Sequence, residues 1–139
     1  MIRAFLDANV LFTAAHNPSG KAALVIALGA EGYWEVVTST LPVEEARHNI
    51  ALKYPHTLDT FENLTASLRI IRSGTGRRCP IPLSSKNRPI LEAAIKARTT
   101  HLLTGDVKHF GHYMNRPHET GGVAVMTVAE FLAQVVRRP

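Results

Sequence analysis

Five short apolar runs, each followed by a stretch of helical character, constrain this chain more than any other feature. The runs cover residues 2–6, 33–39, 69–72, 102–103 and 123–126, and each reads as a strand. Helical segments lie between them. Residues 20–30 are rich in Ala, Leu and Ile, with Ser19 as the expected N-cap and Gly32 as the stop. Pro42 opens a second helix through Ile50, Tyr54-Pro55 interrupts it, and residues 57–68 continue as a third. Pro89 fits the first turn of a helix over 90–97, and residues 129–136 form the last. Strands alternating with helices predict an α/β fold, a three-layer α/β/α sandwich around a parallel, doubly wound sheet of about five strands.

Two of the runs end on an acid. Ile2-Arg3-Ala4-Phe5-Leu6 leads to Asp7, and His101-Leu102-Leu103-Thr104-Gly105 leads to Asp106. In open α/β sheets, ligands bind outside the carboxyl ends of the strands. The two aspartates are therefore expected on one edge of one sheet. Converging carboxylates repel unless a cation separates them, which points to a divalent metal. An aspartate after a strand also serves as a turn or N-cap residue, so each acid alone has a local explanation. Gly105 is expected to let the chain turn sharply after the fourth strand.

The second strand leaves through Thr38-Ser39-Thr40, which carries hydroxyls but no acid. Glu44 and Glu45 on the following helix are the candidates to supply one. Val43, Ala46 and Ile50 form the main buried face of that helix, and Glu45 projects between Leu41 and Leu52 on a weaker apolar flank. Glu44 has Arg47 three residues on and His48 four on, the spacing of a solvent-side ion pair. Glu45 is thus the expected inward acid.

At 139 residues and 45% hydrophobic, the chain is expected to form a single domain over 1–139. Its one cysteine, Cys79, excludes an internal disulfide and suits a reducing compartment. No signal peptide or membrane-length apolar run is visible, so the expected location is cytoplasmic, without a membrane partner. A net charge of +5 suits a polyanionic partner such as nucleic acid, although it also serves solubility. His109-Phe110-Gly111-His112 lacks the two further ligands a zinc motif needs. No nucleophile elbow supports Ser/His/Asp catalysis.

Asp7-x-Asn9, the Glu45-Ala46 helix and Thr104-Gly105-Asp106, in that order, make the chain resemble the PIN-domain family, and more narrowly the VapC-like ribonuclease toxins of type II toxin–antitoxin pairs. The closest stretches are Lys86-Asn87-Arg88-Pro89-Ile90-Leu91 through Ala94, then Thr100 through Asp106, and Phe110. The resemblance implies a metal-dependent nuclease site of three or four acids. Asp7 carries over as the first acid, Glu45 as the second and Asp106 as the fourth, with Asn9 as an accessory polar residue. It further implies Mg²⁺ or Mn²⁺ as cofactor, an RNA substrate, a cognate antitoxin protein and a homodimer.

Asn87 stands where that family has its third acid. An amide offers a neutral oxygen in place of a charged one, so metal affinity is expected to fall. Asn at a helix start is also a good N-cap. A site that tolerates Asn, a weakened enzyme and an inactivating substitution of an Asp-bearing parent all fit the sequence. If the site is active, the expected chemistry is hydrolysis of an RNA phosphodiester by metal-bound water. Asp7, Glu45 and Asp106 would serve the metal, Thr104 and Ser39 would hydrogen-bond a carboxylate, and Arg47, Lys86, Arg88 and Lys108 are candidates to grip phosphates. The alternative is a catalytically impaired PIN-fold module that binds RNA or an antitoxin.

Overall fold

A computed structural model describes residues 1–73 and 79–136; residues 74–78 and 137–139 lie outside the described residues. Five parallel strands form one sheet: β1 (Arg3–Leu6), β2 (Glu35–Ser39), β3 (Arg69–Ile71), β4 (His101–Leu103) and β5 (Ala124–Met126). The helices are α1 (Ala8–His16), α2 (Lys21–Ala30), α3 (Thr40–Lys53), α4 (Leu58–Ala66), α5 (Arg88–Lys96), α6 (Val107–Phe110) and α7 (Val128–Val135). The strand order is β3-β2-β1-β4-β5. The chain builds outward from β1 to β3, then crosses back to lay β4 against the other side of β1. The expected α/β/α architecture is thus observed. Its topological switch point lies between β1 and β4, where Leu6 pairs with Leu103.

Side-chain alternation along the strands separates two cores. Ala4, Leu6, Leu103 and Met126 face one layer, where α1, α2, α3, α4 and α7 supply Leu11, Val25, Ile50, Phe61 and Phe131. Phe5, Val37, Leu102 and Val125 face the other, which α5 covers with Ile90, Leu91 and Ala94, helped by Phe110 of α6. Both faces of β1 and β4 are buried, which is why these strands read as unbroken apolar runs. Among the described residues, no helix is long and apolar enough to cross a membrane.

Several local expectations change. Gly20, not Ser19, is the N-cap of α2, and no side chain caps that end. Tyr33 and Trp34 precede β2 rather than opening it: Trp34 turns into the core and gives its indole N–H to the Val25 carbonyl at 3.0 Å. The helix expected from Pro42 begins at Thr40, with Pro42 inside the first turn, where its missing N–H costs nothing. Helix α7 begins on a reciprocal capping box between Thr127 and Glu130.

Candidate active site

Asp7 is the first residue beyond β1 and the N-cap of α1. Its backbone N–H donates to Leu103 O at 3.1 Å, extending the β1–β4 pairing one residue past the strands. This puts the Asp7 side chain at the switch point, almost wholly buried. Its Oδ1 accepts the Ala8 N–H at 2.7 Å, and its Oδ2 accepts the Thr104 hydroxyl at 2.8 Å. Thr104, just beyond β4, has no solvent exposure. Its hydroxyl oxygen also accepts the Asp106 backbone N–H at 3.0 Å. One hydroxyl therefore ties the carboxylate after β1 to the backbone of the acid after β4.

Asn9 closes this small network. Its Oδ1 accepts the Gly105 N–H at 2.7 Å, while its Nδ2 lies 3.4 Å from Thr104 Oγ1 and 3.5 Å from Asp7 Oδ2. A Cβ at position 105 would stand 3.3 Å from Asn9 Oδ1. Gly105 thus permits a close approach, and it is not among the positive-φ glycines that a sharp turn would require.

Asp106 caps α6 and has two further partners. Its Oδ1 accepts the His109 N–H at 3.3 Å and lies 2.7 Å from His109 Nδ1. Its Oδ2 accepts from Asn87 Nδ2 at 3.2 Å. Asn87 occupies the N-cap position of α5, but its side chain makes no cap hydrogen bond. The Ser84 hydroxyl instead accepts the Asn87 backbone N–H at 3.3 Å. The expected capping role is therefore not the one the Asn87 side chain plays: buried, it turns into the site.

Glu45 is half-buried on α3, and Glu44 is exposed. The apolar flank expected to turn Glu45 inward is itself open, since Leu41 and Leu52 are 45% and 69% exposed. Glu45 faces Lys86 instead, with Nζ 3.7 Å from Oε2. The ion pair expected between Glu44 and Arg47 gives way to a two-pronged bridge from Arg47 to Glu62 of α4, at 2.8 and 3.0 Å. Arg88 and Lys108 are exposed at the first turns of α5 and α6. Ser39 is buried, and its hydroxyl oxygen accepts from Ser73 at 2.9 Å rather than joining a carboxylate.

The electrostatics follow from these placements. Burial pushes the Asp7 carboxyl above the ordinary aspartate range. Hydrogen bonds from Thr104 and Ala8 pull it back, and the charges of Glu45 and Asp106 push it up again. At Asp106 burial acts in the same upward sense, but hydrogen bonds from His109 and Asn87 outweigh it and leave the carboxyl below its usual range. Among the described residues, no three His, Cys, Asp or Glu side chains gather as a metal ligand set. The three expected acids, Asp7, Glu45 and Asp106, are thus not drawn together as one ligand set: Glu45 faces Lys86, and Asn87 adds an amide rather than a fourth acid.

No protein-family model and no curated protein matches the chain. Solved structures do. VapBC2 from Rickettsia felis bound to a promoter DNA fragment contains a chain with 13% identity and a TM-score of 0.64, matched over 89% of this chain and 97% of that one. A PilT N-terminus domain protein from the archaeon Sulfolobus solfataricus P2 has 17% identity and a TM-score of 0.57, over 99% and 97%. VapBC-1 from nontypeable Haemophilus influenzae gives 14% identity and a TM-score of 0.58, over 92% and 99%. The chain has the PIN/VapC-like fold.

Proposed function

We propose that this protein is a metal-dependent endoribonuclease of the PIN/VapC toxin type, weakened by Asn87. The observation that carries the reading is the position of Asp7. It is buried at the switch point, within the electrostatic reach of Glu45 and Asp106, and disfavoured as an anion there. Uncompensated negative charge at this place fits a hard cation. Asp7 Oδ1 accepts a single hydrogen bond, from the Ala8 N–H, and keeps a lone pair for an ion, whereas Oδ2 accepts from both Thr104 and Asn9. Asp7, Asp106 and Glu45 would hold Mg²⁺ or Mn²⁺, with Glu45 released from Lys86 to do so. When bound, the ion supplies an activated water and neutralises charge at phosphorus. Thr104 and Asn9 orient Asp7, and the exposed cations Lys86, Arg88 and Lys108 would meet phosphates.

The test is RNA cleavage by the chain and by Asn87→Asp across a Mg²⁺ and Mn²⁺ titration. The expected result is that Asn87→Asp cuts at lower metal concentration and faster. Equal cleavage by both forms at the same Mg²⁺ overturns the claim that Asn87 limits the site.

A second reading has its own observation. Asn87 donates to Asp106, and Lys86 pairs with Glu45, so two acids are partly satisfied by the protein itself. That arrangement suits a module that binds RNA or an antitoxin without cutting, and failure of both forms to cleave under any divalent metal favours it. The VapBC likeness supports an antitoxin protein as partner; a homodimeric state and a cytoplasmic setting are carried over from the resemblance of the sequence motifs. Co-purification with the product of an adjacent small reading frame and light scattering check the first two.

A further inference from the structure

A cleft of about 410 Å³ opens beside the acids. It begins at Asn9, Thr104 and Gly105, the same residues that orient Asp7, and runs between α1, the start of α2 and the start of α7. Its lining is mostly apolar, with Val10 from α1 and Val128 from α7 among the lining residues. Small-molecule sites commonly combine an apolar lining with a few placed polar groups, in volumes of about 300–1,000 Å³. Here the polar groups are Thr13 and Asn17, one turn apart on α1 and its C-cap. Among the described residues, neither the Thr13 hydroxyl nor the Asn17 amide has a hydrogen-bond partner within the protein. The amide rests over Gly20, where an added Cβ would come within 2.7 Å of Nδ2. Lys21, exposed at the mouth, adds a positive charge.

The geometry points to a nucleobase subsite: the cleft takes the base of the nucleotide next to the phosphodiester held at Asp7 and Asp106. Apolar walls suit the face of a base, and a carboxamide offers adjacent donor and acceptor atoms that match the edge of one base better than others. Lys21 faces the phosphate on the far side of that nucleotide. The inference rests on the nuclease reading for its substrate class and makes the cleft the part of the site that selects sequence.

The test separates the two claims by measuring binding without divalent metal. Each of the four ribonucleoside 5′-monophosphates, and the matching nucleosides, is titrated into the full chain while the methyl resonances of Val10 and Val128 are followed. The expected result is that one base moves these signals with at least about fivefold tighter binding than the others. Asn17→Ala should weaken it about tenfold, the scale of a lost base-edge contact. Ala129→Trp, which fills the cleft from an exposed position on α7, should abolish it. Loss of the phosphate should weaken binding in the chain but not in Lys21→Ala. Unmoved Val10 and Val128 signals, or equal affinity in Asn17→Ala, overturn the subsite even if RNA is cut. Base binding in a protein that cuts no RNA leaves the subsite standing and removes the nuclease reading alone.

Discussion

Asn87 gives an amide hydrogen to Asp106 across 3.2 Å, in the place where a second carboxylate would repel it. The contact joins the start of α5 to the exit of β4 and holds Asp106 Oδ2 with a neutral donor. A residue that lowers the demand for a cation also lowers the cation's affinity.

Exchanging that donor for an acceptor should therefore act in opposite directions with and without metal. In chelator, Asn87→Asp loses the hydrogen bond and adds like charge, costing about 1–3 kcal/mol of stability. At saturating Mg²⁺ the deficit should close, because a ligand that binds only the folded state stabilises it. Thermal unfolding in chelator and in Mg²⁺ reads both arms. A variant equally stable in the two conditions would mean that the third corner does not face the ion.

At Asp7 the sign of the pH dependence is fixed by burial first, with repulsion from Glu45 and Asp106 in the same direction. A folded-state value raised above the unfolded one gives a contribution that is fully present below the unfolded value, near pH 4, and lost as pH rises through the folded value. The charged group consequently costs stability at neutral pH. Asp7→Asn should raise stability at pH 7 by about 1 kcal/mol while abolishing metal-dependent cleavage, a trade seen where function requires an unfavourable charge. Urea unfolding at pH 7 and pH 4 checks it, and the advantage of Asn should shrink at the lower pH.

Thr104→Val keeps the shape of a fully buried side chain and removes the hydroxyl shared by Asp7 Oδ2 and the Asp106 N–H. A buried carboxylate and a half-buried backbone N–H lose their partner, so the expected cost is about 2 kcal/mol. The Asp7 carboxyl should titrate still higher, since the hydrogen bond that lowers it is gone. Carbon-detected NMR of the aspartate carboxyls follows the shift directly.

Arg47 should contribute little to RNA affinity. Its guanidinium is engaged by both oxygens of Glu62, about half exposed on each side, which is worth about 0.5 kcal/mol. Arg47→Ala should leave the salt dependence of RNA binding unchanged, whereas Lys108→Ala should reduce its slope. Fluorescence anisotropy across a salt series tells the two apart.

The sequence carried the fold because β1 and β4 are buried on both faces, and such strands announce themselves as unbroken apolar runs ending where the chain meets solvent. The acids after them were legible for the same reason. What lay beyond was set by tertiary contact. The Arg47–Glu62 bridge joins two helices fifteen positions apart, outside any helical-wheel argument. The Asn87 side chain abandons its cap for Asp106, a partner nineteen residues away. Helix α6 spans only Val107–Phe110, too short to show periodicity. The capping box at Thr127 and Glu130 was legible in principle, since Thr-x-x-Glu before an apolar run is its signature.

The strand order has a consequence for the life of the chain before it is free. β1 is made first, yet its neighbour across the switch point is β4, which arrives only when about three-quarters of the residues have been joined. Asp7 meets Thr104 and Asp106 after that moment and not earlier. Until then a nascent chain carries Asp7 without Thr104 or Asp106 and has no assembled centre, since a domain folds as a unit. For a protein read as a cutter of RNA, the order of strands keeps the blade apart from its hinge while the polypeptide is still threaded through a machine built of RNA.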